Sequence, residues 1–214
     1  RIEFAFGTTE GFAGSVTFSV AVADTREDAV ELALAGVAEE FALYDDKMRR
    51  MADVLDGGGI AAHDNDYRLA LQWAAASVDS LIMNQLGRGI FAGLHWFPSY
   101  WGRDTFISLP GACLVRGEFE TAREILESFA VLQLTDESST LYGRIPNLAF
   151  PGETYYNTAD GTSWFVREAC EYVRYSGDLG FADAILPAVA RALDGALARR
   201  TDEHGYLLHG QAET

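Results

Sequence analysis

Apolar and polar positions change their period along this chain. Ile2, Phe4 and Phe6 alternate with other residues, as does the run Ser15-Val16-Thr17-Phe18-Ser19-Val20-Ala21-Val22-Ala23. Period-two alternation predicts strands over 1–23. Two strands alone are marginally stable, so they are expected to belong to a sheet that begins before Arg1. From Thr25 the period lengthens. Thr25, with Asp28 three residues on, reads as a capping box in an Asp-for-Glu variant, opening one long helix over 26–55. Gly57-Gly58-Gly59 then marks a linker.

Beyond the glycines the whole pattern reads as helical. Leu69, Leu71, Trp73, Ala76, Val78, Leu81 and Ile82 give residues 66–86 one broad buried face. Short helices are expected at 105–116 and 119–133, and longer ones at 161–176 and 179–200. Pro110 should kink the first of these or begin it. Two inter-helix segments are long, 87–104 and 134–160, and segments of that length in a compact helical domain usually carry function. Paired helices with long loops on one side suggest a helical toroid with its site at the loop end.

A hydrophobic content of 49% is enough for a sizeable core and excludes a disordered chain. The formal charge of −16, from 32 acids against 16 bases, argues against nucleic acid and anionic membrane as partners. It selects no substrate, since most of these acids should lie on solvated helix faces. Lys47 is the only lysine, which sets aside Schiff-base chemistry and a phosphate loop that needs one. Cys113 and Cys170 fall in apolar helical patterns and read as two buried thiols, not a disulfide or metal pair. His95, His204 and His209 lack metal-ligand spacing, so no metal is expected. No cofactor is expected either. The stretches Gly57-Gly58-Gly59-Ile60-Ala61-Ala62 and Gly87-Arg88-Gly89-Ile90-Phe91-Ala92 imitate a dinucleotide fingerprint but follow helices, not strands. No apolar run is long enough to predict a membrane span.

The candidate chemistry lies in the two long segments. Trp101-Gly102-Arg103-Asp104 follows the aromatic-rich run Gly93-Leu94-His95-Trp96-Phe97-Pro98-Ser99-Tyr100. An arginine and a carboxylate walled by large rings suit a polyhydroxylated ring, whose C–H faces stack on aromatics while its hydroxyls meet charged groups. Tyr155-Tyr156-Asn157-Thr158-Ala159-Asp160-Gly161 stands before the next helix in the same way. The two together point to a carbohydrate site.

Longer motifs extend these. Ala75-Ala76-Ser77-Val78-Asp79-Ser80-Leu81-Ile82-Met83-Asn84-Gln85, Gly89-Ile90-Phe91-Ala92-Gly93-Leu94-His95-Trp96-Phe97 and Tyr100-Trp101-Gly102-Arg103-Asp104-Thr105-Phe106-Ile107-Ser108-Leu109-Pro110-Gly111 come first. Gly143-Arg144-Ile145-Pro146-Asn147, Tyr156-Asn157-Thr158-Ala159-Asp160-Gly161-Thr162, Tyr175-Ser176-Gly177-Asp178 and Leu208-His209-Gly210 follow in order. Together they closely resemble the amylo-α-1,6-glucosidase (glycogen-debranching) glycosidases over roughly 60–214. The resemblance implies a mainly α protein, a partial (α/α)6 toroid preceded by the last strands of a β-sandwich domain. Residues 1–24 would be those strands, 25–59 a linker helix and 60–214 the first half of the toroid.

The resemblance also implies cleavage of α-1,6-glucosidic branch linkages with inversion, on an α-glucan or oligosaccharide. Inversion needs an acid and a base about 6.5–9.5 Å apart. In the family the run after His-Gly continues to a Trp-Met-Asp segment that holds the acid, with the base further on, so both are expected beyond Thr214. Alternatives are another α-glucosidase of the same toroid type, trehalase- or glucoamylase-like, and a glucan-binding protein without catalysis. The family-based compartment is the cytoplasm. The substrate-binding set is Trp101, Arg103, Asp104, Asn157 and Asp160. For Asp104 the bland alternative is a helix cap, with Arg103 paired to a nearby acid. Asp160 keeps three readings open: hydroxyl binding beside Asn157, an N-cap of the following helix, or the catalytic acid, which would need a raised pKa. Glu213 is an outside candidate, and Tyr142, Tyr155 and Tyr156 could line outer subsites or simply pack.

Overall fold

A computed structural model describes residues 18–56 and 64–208. The chain divides between Met51 and Ala52 into two units. In the first, Thr25 Oγ1 accepts the Asp28 N–H at 3.1 Å and opens α1 (Arg26–Ala38), as the sequence signal requires. The expected single helix is two, however: Glu39 separates α1 from α2 (Glu40–Asp56), which runs into the second unit. Neither Gly nor Pro marks that break. Residues 18–23 carry no strand, and the rest of the predicted N-terminal strands lie outside the described residues, as does Gly57-Gly58-Gly59.

The second unit is mainly helical with one small antiparallel sheet. After α3 (Asn65–Asp79) come β1 (Ile82–Asn84), β2 (Arg88–Gly93) and β3 (Phe97–Trp101). Next are α4 (Gly102–Ala112), a 3-10 turn (Leu114–Arg116) and α5 (Phe119–Val131). Then follow β4 (Leu148–Phe150), β5 (Glu153–Tyr155), α6 (Gly161–Ser176) and α7 (Leu179–Arg199). The sheet has five strands in chain order. It corrects the all-helical expectation: residues 80–86 lie outside α3, and each long loop contains a hairpin.

Local chemistry explains two of the three hairpins. Asn84 pairs with Arg88 around the loop Gln85-Leu86-Gly87, with Gly87 at φ +74°, a left-handed position that suits glycine. Phe150 pairs with Glu153 around Pro151-Gly152, with Gly152 at φ +91°, the proline-then-glycine order of a type II turn. The buried Tyr100 hydroxyl ties the first hairpin together. It accepts the Gln85 N–H at 2.7 Å and lies 2.9 and 2.7 Å from the Met83 and Gly87 carbonyls.

Below the sheet, the inward faces of α4, α5 and α6 meet around three fully buried rings. Phe106 packs edge-on to Phe129 at 4.8 Å and to Phe165 at 5.6 Å, the tilted geometry that ring quadrupoles favour. Pro110 does not begin α4 but sits in its last turn, where little helix remains to be disrupted. Gly177, at φ +71°, ends α6, and Asp178 caps α7 by accepting the Phe181 N–H at 2.9 Å.

α6 reverses one expectation. Its buried stripe is Phe165, Glu168, Ala169 and Tyr172, which leaves Cys170 exposed while Cys113 is buried. Burial pushes the Cys113 thiol up to about 12, so this thiol is unreactive. Glu168 is fully buried; its Oε1 pairs with Arg167 while its Oε2 has no hydrogen-bond partner among the described residues. Burial raises its pKa, and the Arg167 charge only partly opposes this. The folded state therefore favours the protonated acid, and the linked stability is complete below about pH 4.3, the unfolded value. That contribution is lost as pH rises through the raised folded value. Glu168→Gln is accordingly expected to match or exceed the parent in urea melts at pH 8, with the parent gaining on it as pH falls toward 5. A difference that does not change with pH would contradict this.

Candidate functional site

The sheet places the two candidate clusters side by side. β3 runs directly into α4, and β4 pairs with β3 through Tyr100↔Ala149 and Trp101↔Leu148. The segment leading to α6 therefore passes the start of α4. The Gly102 N–H donates to the Asn147 carbonyl at 2.6 Å. A side chain at Gly102 would put its Cβ 2.3 Å from the Pro146 carbonyl oxygen, which is why glycine must precede the Arg-Asp pair.

That approach brings Arg103, in the first turn of α4, to Asp160 at the start of α6. Arg103 Nη1 stands 3.6 Å from Asp160 Oδ1. The Asp160 carboxylate does not cap α6. It accepts instead from Thr158 Oγ1 at 2.6 Å and from the Trp164 indole N–H at 3.2 Å. Trp164 lies four residues on, one helical turn away and on the same face. Burial alone would raise the Asp160 pKa, but the Thr158 hydrogen bond, the Arg103 charge and the indole outweigh it and hold it below the usual carboxylate value. Asp160 is thus ionised at neutral pH, a form that accepts hydroxyl hydrogens and has no proton to give. With side chains 52% and 43% exposed, the Arg103–Asp160 pair adds little stability and leaves both groups open to a ligand.

Asp104 sits in the same first turn, exposed, making neither a cap nor an ion pair among the described residues. Asn157 is exposed and accepts from Asn147 Nδ2 at 3.2 Å. Asn147 itself is buried, and its Oδ1 lacks a hydrogen-bond partner among the described residues. Trp101 is half-buried, edge-on to Phe97 at 6.0 Å, with its indole N–H buried and unpartnered among the described residues. Arg144 anchors the second loop by donating to the Tyr156 carbonyl at 2.7 Å. Two of the three tyrosines have structural tasks: Tyr142 lies under the Arg199 guanidinium at 4.4 Å and Tyr156 donates to the Leu132 carbonyl at 2.8 Å. Tyr155, exposed, donates to Glu153. His209 and Glu213 lie outside the described residues. Thr158, Trp164 and Asn147 are partners that sequence reasoning did not single out. Among the described residues no cluster of His, Cys, Asp and Glu could hold a metal, and no helix is long and apolar enough to cross a membrane.

Polar groups thus gather at two helix starts, on loops braced by a small sheet over a helical core. The chain belongs to the amylo-α-1,6-glucosidase family, whose model matches residues 68–206 and so includes every described candidate residue. It is similar to the glycogen debranching enzyme of Saccharomyces cerevisiae, with 37% identity over 87 residues. That match covers 38% of this chain and 5% of the yeast protein, so the chain spans only a small part of this relative's length.

Proposed function

We propose that this chain provides the sugar-holding part of a glycoside hydrolase that removes α-1,6-linked glucose from trimmed branch points of an α-glucan. The observation that carries the reading is the Arg103–Asp160 pair, a donor fork 3.6 Å from a carboxylate kept ionised, with both groups half open to solvent. A guanidinium donates to sugar hydroxyl oxygens and a carboxylate accepts from the adjacent hydroxyls. Asp104, Asn157 and the Trp101 ring complete the grip. Proton transfer falls to carboxyl groups outside this cluster. Helices α3 to α7 would be part of an (α/α)6 toroid, with the segment before Thr25 the end of a β-sandwich domain, and the working compartment the cytoplasm.

The test uses the full natural chain and a phosphorylase limit dextrin. Free glucose is expected, appearing first as the β-anomer, as inversion at an α-linkage requires. Release from trehalose but not from the dextrin would replace debranching by the trehalase-like reading. Saturable dextrin binding without any glucose would leave a glucan binder, a reading that an ionised Asp160 favours as far as this cluster alone is concerned.

A further inference from the structure

Asn147 lies between the two polar clusters, one residue before β4, and both of its main-chain groups are committed. Its N–H donates to the Tyr155 carbonyl at 2.8 Å, and its carbonyl accepts the Gly102 N–H at 2.6 Å. The residue is thus fixed from both sides and is only 6% exposed. Its side chain makes one hydrogen bond, from Nδ2 to Asn157 Oδ1 at 3.2 Å. Its own Oδ1 is buried without a partner among the described residues.

A carboxamide is a poor choice for packing alone at such a place. A buried acceptor without a hydrogen bond costs stability, and an apolar side chain of similar size would avoid that cost. What the amide adds is a donor, and that donor meets a single group, on an exposed residue of the candidate site. The loop that carries Asn157 is held without this bond. The Tyr156 carbonyl accepts from Arg144 at 2.7 Å, and Thr158 Oγ1 donates to Asp160 at 2.6 Å. Asn147 therefore governs the side-chain rotation of Asn157 more than the path of its backbone. With Asn157 Oδ1 turned to Asn147, Asn157 Nδ2 is the end left to donate elsewhere. Turning both amides round would strand the Asn147 amino group instead, and buried N–H groups go unpaired more rarely than carbonyl oxygens.

We infer that Asn147 is a positioning residue that locks the Asn157 carboxamide with Nδ2 presented to a sugar hydroxyl oxygen. The inference rests on the sugar reading of the Arg103–Asp160 cluster. It gives that cluster a fixed order, with Arg103 and Asn157 donating and Asp160 accepting. A side chain set before the ligand arrives loses little rotamer freedom on binding.

Equilibrium binding of a phosphorylase limit dextrin to the full natural chain, beside thermal melts, tests this. Asn147→Leu should weaken binding about three- to tenfold, the cost of immobilising one side chain. Its melting temperature should equal or exceed the parent's. Asn157→Ala should weaken binding at least as much, and adding Asn147→Leu to it should cost nothing further. Asn157→Asp leaves the core untouched, keeps an acceptor for Asn147 and offers the ligand an acceptor in place of a donor. It should bind no better than Asn157→Ala, and it decides the matter if Asn147→Leu does not fold. Parental affinity in Asn157→Asp overturns the inference while the sugar reading stands. So does parental affinity in Asn147→Leu, and a lowered melting temperature beside it would assign Asn147 to packing. A parent chain without dextrin affinity removes the sugar reading and the inference together.

Discussion

Replacing Arg103 by alanine is expected to lower glucose release from a limit dextrin by about a hundredfold or more. A guanidinium that meets two sugar hydroxyls makes two hydrogen bonds from a charged donor, each about 1.5–3 kcal/mol, and every 1.36 kcal/mol is about tenfold in rate. Asp160 would then lose the charge that helps to hold it ionised, so its pKa should rise toward the ordinary value. Stability should barely change, because the pair is about half exposed. Arg103→Lys keeps the charge without the planar fork and should recover only part of the activity. Steady-state kinetics beside a thermal melt separates the outcomes. Full activity in the alanine variant would remove Arg103 from the site, whereas a collapsed melting temperature would assign it a structural role.

The second large effect concerns folding. Gly195→Ala in α7 is expected to destabilise the protein by about 3 kcal/mol or prevent soluble accumulation, the upper range for overpacking. A Cβ there would lie 2.0 Å from the Tyr142 carbonyl oxygen and 3.3 Å from the Gly143 Cα, which are backbone atoms with nowhere to go. Gly143, at φ +81°, would in turn bring its own Cβ within 2.2 Å of the Arg191 carbonyl oxygen. Gln133 fixes the contact by donating to the Gly143 and Ala188 carbonyls, both at 2.9 Å. The loop must therefore lift off α7, taking with it the Arg144-to-Asn147 segment that supports Gly102. Gly111→Ala in α4 is the control. Nothing lies within 4 Å of a Cβ there, so helix propensity alone should stabilise by about 0.5–1 kcal/mol. Urea melts of the two variants should move in opposite directions, and a stabilised Gly195→Ala would refute the close approach.

Much of the helical part was legible because its punctuation is local. Thr25 caps where its spacing says it should, and α6 ends and α7 begins around Gly177 and Asp178, at the expected bounds 161–176 and 179–200. The sheet was not legible from periodicity: its strands are three to six residues long, and their pairing is set by partners distant in sequence. The turn residues Gly87 and Pro151-Gly152 were the available signal. Residue type misled on α6, where the helical stripe that buries Phe165 and Tyr172 also takes in Glu168 and leaves out Cys170. The two polar clusters could be picked out in the sequence, but the contacts between them could not. An aspartate just before a helix reads as a cap, and only the positions of Thr158, Trp164 and Arg103 reveal that Asp160 points elsewhere.

The Trp101↔Leu148 pairing has a thermodynamic meaning. It joins the chain entering α4 to the chain leading toward α6, and the Gly102 amide is already committed to Asn147. A ligand arriving between the two helix starts meets groups whose backbone is set in advance, so little chain entropy is left to lose on association. Affinity can then rest on a handful of hydrogen bonds, because ordering the receptor was completed during folding.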